Sequence, residues 1–246
     1  MINQPICVVC DDFQKAWLEV VRQLMSSYWE VRNLIVQIEN PSIFDQTFHD
    51  RMESFAQAQG LLGPKHVAYT IFPHRLYQRI GNASKLFMAY NEPRGLFKRL
   101  QHLKPGWGTY FRRMTHYKRA DGVVNQLDNI ITAIGKRDNI CKAAYTIVIQ
   151  NPGGETVRPL GGPCLNYIAV QAEPGQAGQP LTLGLLTVYR NHDFLERAYG
   201  NYWGLCNLLM FLVKEVGGTA GPLTCVSSHA YVAAKKSALK QLVDGF

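Results

Sequence analysis

The chain has 246 residues, 47% of them hydrophobic and 18% charged, with a formal net charge of +8. That length can bury one large core, and no Pro/Gly/Ser-rich linker or charge block divides it, so residues 1–246 are expected to form a single domain. The positive excess points to an acidic partner, while the longest apolar run, Leu208 to Val213, is far too short to span a bilayer, which excludes a helical membrane protein.

At the N-terminus, Met1 to Cys10 has no positive n-region ahead of its short apolar run, so a cytoplasmic location with reduced thiols is expected. Cys7-Val-Val-Cys10 has no second CxxC and no histidine pair at ligand spacing, and the expectation is a pair of buried strand thiols rather than a metal site. Asp11 or Asp12 can N-cap a helix with Phe13, Ala16, Trp17, Val20, Val21 and Leu24 on one face. Leu34, Val36 and Ile38 then alternate as a strand ending at Asn40-Pro41, and a polar helix spans about Asp45 to Gln59, closed by Gly60. Leu61 to Asn82 shows no assignable period.

Between Arg94 and Arg119, eight basic residues (Arg94, Lys98, Arg99, Lys104, Arg112, Arg113, Lys118, Arg119) are interleaved with Phe97, Trp107, Tyr110, Phe111 and Tyr117. Such a stretch suits single-stranded nucleic acid, a nucleotide or a polyglutamylated folate, and equally suits a solvated helix face from Arg94 to Leu103 followed by a surface loop. Val124, Leu127, Ile130, Ile131 and Ile134 mark a helix that stops near Gly135. Three apolar strands follow, Ala143 to Ile149, Leu165 to Val170 and Leu181 to Val188, with Pro174 to Pro180 as the hairpin loop between the last two. Leu205, Leu208, Leu209, Leu212 and Val216 line one face of a helix from Asn201 to Val216, with Gly217 as its C-cap. Pro222 to Val232 is a strand that puts His229 and Tyr231 on the same side. The order is α+β.

The Gly161-Gly162-Pro163-Cys164 turn, the string Tyr189-Arg190-Asn191-His192-Asp193, then Asn201 and Ser228-His229-Ala230-Tyr231 occur in an order that resembles the thymidylate synthase superfamily, including its pyrimidine hydroxymethylase branch. Arg190 and Asp193 are three residues apart and Asp193 and Asn201 eight, as in that family. Upstream, Trp107-Gly108-Thr109-Tyr110-Phe111-Arg112 is similar to its aromatic-Gly-x-x-aromatic-Arg turn, and Asn125-Gln126-Leu127 to the opening of its Gln-Leu helix. The resemblance covers about Tyr90 to Leu242 and implies a thymidylate synthase-like mixed sheet with helices packed on one side, whose open sheet face is buried in a homodimer. It also implies a pyrimidine-nucleotide C5 one-carbon transferase using 5,10-methylenetetrahydrofolate. A thiolate is suited to that chemistry because it adds to C6 of the ring, activates C5 and can leave again.

By the same resemblance Cys164 is the nucleophile and Arg190 holds a phosphate and favours the thiolate, as an arginine beside a thiol does. Asn201 faces the base, where its amide matches the O4 acceptor and N3 donor of uracil. Asp193 supports the base network, His229 and Tyr231 reach the sugar, and Arg112 joins the substrate contacts. Lys142 stands where the neighbouring subunit lends an arginine to the phosphate. Glu53, seven residues before Gly60, occupies the place of the general base. His192 has no counterpart role. The chain departs from the family at Leu165, Tyr189, Lys142-Ala143 and Ala56, and only fifteen residues separate Tyr231 from Phe246, where the family continues to a tail that closes over folate. These departures favour a hydroxymethylase-like product over reductive methylation. They also leave open a degenerate nucleotide-binding homologue, and the basic stretch a nucleic-acid-binding module.

Overall fold

The computed structural model describes residues 4–92, 95, 98, 107–136, 140–142, 144–151, 162–176 and 179–246. Most of the helix expected between Arg94 and Leu103 lies outside that set, as do Ala143 and Gly161.

Strand β1 (Ile6–Cys10), helix α1 (Phe13–Ser26) and strand β2 (Glu30–Ile38) form a parallel β-α-β unit with Val8 opposite Val36. Asp12 is the N-cap of α1, its carboxylate accepting from Gln14 N and Lys15 N at 2.9 and 2.8 Å. The apolar stripe read from the sequence is the buried face of α1, with Ala16, Trp17, Val20, Val21 and Leu24 excluded from solvent. Helices α2 (Gln46–Ala58), α3 (Pro64–Ile71), α4 (His74–Ile80), α5 (Ala83–Asn91) and α6 (Tyr110–Thr115) follow. The short pair β3 (Tyr117–Arg119) and β4 (Gly122–Val124) leads to α7 (Gln126–Gly135), N-capped by Asn125. The remaining elements are β5 (Thr146–Val148), β6 (Leu165–Glu173), β7 (Thr182–Tyr189), β8 (His192–Asp193), α8 (Ala198–Val216), β9 (Thr219–Tyr231) and α9 (Lys236–Asp244).

The main sheet runs β1-β2-β9-β7-β6-β5, with β8 alongside β9 beyond the end of β7. It is mixed: β1/β2, β7/β9 and β8/β9 are parallel, whereas β2/β9, β6/β7 and β5/β6 are antiparallel. One face is buried, with Val8, Leu34, Val36, Leu223, Cys225, Leu183, Leu185, Ile168 and Ile147 packed into the core that α1 and α8 share. On the alternate positions Ile35, Val226, Val188 and Tyr167 are only half-buried, and Cys7, Val9 and Val148 are exposed.

Several expectations are corrected. Cys7 is exposed and Cys10 half-buried, because residues three apart on a strand face opposite sides and the Cys7 side is the open one. The surface loop expected after Leu103 contains α6, whose Tyr110, Phe111 and Met114 are buried; Phe111 packs edge-on against Tyr90 at 4.7 Å. Tyr110 and Phe111 are therefore core residues and not stacking platforms for bases. Leu61 to Asn82, unassigned from sequence, contains α3 and α4, and α8 begins three residues earlier than expected.

Candidate active site

The turn carrying Cys164 enters β6 directly, and two neighbours, Tyr110 and Arg190, brace it. Cys164 N–H and Leu165 N–H both donate to the Tyr110 hydroxyl, at 3.2 and 3.4 Å. The Arg190 Nε–H donates to Pro163 O at 3.1 Å and its backbone N–H to Cys164 O at 2.9 Å. Gly162 sits at φ +81, and a side chain there would meet the Arg190 guanidinium. Leu165 and Tyr189 are register partners, so the β6/β7 ladder places Arg190 beside the cysteine, one residue beyond the last pair.

Burial pushes the half-buried Cys164 thiol up from its ordinary pKa, against the lowering pull of Arg190 and Arg197; Asp193 adds to the rise. The free protein therefore holds a thiol that two guanidinium groups favour as thiolate and that desolvation keeps protonated. Arg197, one turn ahead of Asn201 at the N-cap of α8, was not singled out from sequence. Its contribution emerges only when α8 is folded against β7 and β9.

Asp193 accepts from Leu195 N and Glu196 N at 2.9 and 3.2 Å, capping the turn that enters α8, and burial raises its pKa. The same carboxylate acts electrostatically on Cys164 and on Tyr231, so these three share one neighbourhood. His229 and Tyr231 project from the same side of β9, their rings stacked at 5.0 Å and 6°. His229 Nδ1 donates to Asn191 Oδ1 at 2.6 Å, and its Nε2 lies 3.0 Å from Glu30 Oε1.

Asn201 is 4% exposed, in the first turn of α8. Its amide meets His192 Nε2 at 3.1 Å, and His192 Nδ1 lies 3.0 Å from Ser227 Oγ. His192 stacks on Tyr189 at 4.1 Å and 2°, and Tyr189 lies within electrostatic reach of Cys164. Tyr189, one of the departures from the resemblance, thus lies between the thiol turn and the Asn201 network. Sequence reasoning missed His192, whose role appears only when β8 pairs with β9 and brings Ser227 to it from 35 positions away.

Three expected residues lie apart from this cluster. The Glu53 carboxylate accepts from Lys65 N at 3.0 Å, capping α3, and stands 3.5 Å from His49 Nε2; Cys164 is not among its partners. Lys142 is exposed and ion-paired with Glu173. Arg112 donates to Asn91 O and Asn91 Oδ1 at 3.3 and 2.5 Å, tying α6 to α5. A small cavity of about 10 Å3, lined by Met52, Phe55, Leu61, Leu195, Tyr199 and Gly200, lies next to the Asp193–Asn201 segment, with Glu196 also in its lining. Among the described residues no cluster of His, Cys, Asp and Glu could hold a metal ion, and no helix is long and apolar enough to cross a membrane.

A protein of Methanocaldococcus jannaschii described as "Putative thymidylate synthase" is 28% identical to this chain over 127 residues, half of this chain and 54% of the relative. The chain thus matches about half the length of that curated relative. No family model matches the chain.

Proposed function

We propose that this protein is a thymidylate synthase-like transferase that moves a one-carbon unit to C5 of a uridine or deoxyuridine monophosphate through a covalent Cys164 adduct. The carrying observation is the Cys164 turn, braced by Arg190 and Tyr110 within reach of Asp193 and Tyr231, in the chain order the family uses. The M. jannaschii relative supports the class of reaction.

In this reading the substrate phosphate binds the Arg190 guanidinium. Cys164 gives up its proton and its sulfur pair adds to C6; the ring π electrons move onto C5 and O4, and C5 becomes the nucleophile. Asn201 holds the developing enolate edge, as amide donors placed where charge develops stabilise it. His229 and Tyr231, fixed against Asn191 and Glu30, orient the sugar. After carbon transfer the C5 proton leaves to a base, the pair returns to the ring and the C6–S bond breaks.

Bound 5,10-methylenetetrahydrofolate supplies the one-carbon unit at the formaldehyde oxidation level. The cavity beside Leu195, Tyr199 and Gly200, about 10 Å3, has room for little more than one water and does not seat a pterin. Glu53, the base expected from the resemblance, is turned to Lys65 and His49. That placement favours a second reading, nucleotide binding without turnover.

One sheet with a continuous buried core supports treating residues 1–246 as a single domain. Its open face carries one unbroken row, Cys7–Ile35–Val226–Val188–Tyr167–Val148, each residue paired with the next across the strands. An apolar row of this kind fits a second copy of the chain related by a two-fold axis, and the proposal includes that homodimer.

Tritium release from a C5-labelled uridine or deoxyuridine monophosphate in the presence of methylenetetrahydrofolate tests the reaction. Release that disappears in Cys164→Ala is expected. Binding of the nucleotide without release selects the second reading, and neither binding nor release removes both.

A further inference from the structure

We propose that His192 is a specificity-positioning residue, holding the Asn201 amide in one of its two orientations and so selecting a pyrimidine with an N3–H donor and an O4 acceptor. The substrate half of this inference rests on the nucleotide reading above; the orientation itself does not.

His192 is 1% exposed and boxed in by rings: Tyr189 stacks on it at 4.1 Å, Tyr202 meets it edge-on at 5.5 Å, and Phe194 lies at 5.2 Å. The imidazole therefore has one seat. Both nitrogens are engaged, Nδ1 with Ser227 Oγ at 3.0 Å and Nε2 with the Asn201 amide at 3.1 Å. Among the described residues no charged side chain touches the ring, and burial pulls its pKa down to about 3, so at neutral pH it is the neutral imidazole, with one donor and one acceptor.

Which nitrogen donates is set from the far side. Ser227 is fully buried and also hydrogen-bonds the Cys225 thiol, whose other partner, Thr187, donates its hydroxyl proton to Thr224 O at 3.4 Å; Thr187 is thus left to accept from the Cys225 S–H, and the sulfur to accept from the Ser227 hydroxyl. The serine oxygen is then free to accept from His192 Nδ1–H. Nε2 is left as the acceptor, and the only group Asn201 can offer it is N–H.

The amide nitrogen accordingly faces the imidazole, and the carbonyl with the second amide hydrogen faces away. One acceptor and one donor remain for a ligand. They pair with N3–H and O4 of uracil and mismatch the N3 acceptor and N4 amino group of cytosine. Had Ser227 donated to Nδ1, the carbonyl would turn inward and the ligand would meet two hydrogens and no acceptor.

Long-range proton–nitrogen NMR on the histidine-labelled protein reads the orientation directly: His192 should show a protonated Nδ1 and a bare Nε2 at neutral pH. A protonated Nε2 overturns this inference alone. Calorimetry with uridine and cytidine monophosphates reads the consequence. Wild type should prefer uridine, His192→Leu should lose about tenfold or more of that preference, and His192→Gln, whose carbonyl can accept the same N–H, should recover part of it. Uridine binding with the same preference in all three proteins overturns the role of His192 and leaves the pocket standing. Binding of neither nucleotide to wild type overturns the pocket reading and the substrate half with it. If His192→Leu fails to fold, the NMR result on wild type and the His192→Gln titration still decide.

Discussion

The Cys164 thiol is held between desolvation, which keeps its proton on, and the Arg190 and Arg197 guanidinium groups, which favour the anion; desolvation is the larger effect. Its alkylation rate in the free protein should therefore keep rising with pH above the range of an ordinary thiol, and Arg190→Ala should slow it further at any given pH. A rate that already levels off at neutral pH would contradict this balance. His192 makes a prediction about stability. Between about pH 6.5 and about pH 3 the unfolded chain binds a proton at this residue that the folded chain refuses, so its contribution is present above that window and lost as pH falls through it. Denaturant midpoints should thus fall more steeply with acid in wild type than in His192→Gln, and parallel curves would count against a neutral buried ring. The proximity of Cys164 and Arg190 was legible in the sequence because a turn and a strand end at that spacing can be laid side by side by one hairpin. His192 was not, because a buried histidine has no linear signature; its partners Ser227 and Tyr202 and its stacking neighbour Tyr189 come from three elements.

At the scale of elements, α3 lies unusually close to α8 because α8 presents Gly200 and Gly204 to it. A Cβ on Gly200 would stand 2.5 Å from Val67 Cβ and 2.8 Å from Pro64 O; one on Gly204 would stand 2.9 Å from Ala68 O. In an exposed helix interior Gly→Ala gains about 1 kcal/mol. At Gly200 the contact is with backbone and a β-branched stem, neither of which can swing away, so Gly200→Ala should instead cost about 1–3 kcal/mol. Gly135→Ala, at the end of α7 with nothing within 4 Å, is the matched control and should be neutral or mildly stabilising. Thermal unfolding of the two variants checks the contrast, and equal shifts would mean that α3 can slide. Long elements with a clear period and a capping side chain, such as α1 behind Asp12 and α7 behind Asn125, could be read from the chain. Helices α3 and α4 could not. They have 8 and 7 residues and no N-cap side chain of their own; what holds them is tertiary, packing against α8 and, for α3, the cap lent by Glu53 from α2.

At the scale of the whole molecule, the mixed sheet has one face under helices and one face open, and the apolar row from Cys7 to Val148 gives the open face a reason to associate. Val226→Asp, at the middle of that row, should weaken self-association at least about tenfold while leaving the monomer folded, because the side chain is half-buried and faces away from the core. Light scattering that finds wild type monomeric at micromolar concentration would remove the dimer. The fold class was readable from the alternation of strands and amphipathic helices, but the parallel pairing of β1 with β2 and of β7 with β9 was not, since a strand's own sequence does not say which neighbour it takes. The central claim is that the Cys164 sulfur adds to C6 of a pyrimidine nucleotide, and the most direct test is the intact mass of the denatured protein after incubation with a 5-fluoro-uridine or 5-fluoro-deoxyuridine monophosphate and methylenetetrahydrofolate. Fluorine cannot leave C5 as a cation, so the account predicts a ternary adduct that survives denaturation, maps to Cys164 alone among the six cysteines and is absent in Cys164→Ala; an unchanged mass with both nucleotides, in protein shown to bind them, would contradict it.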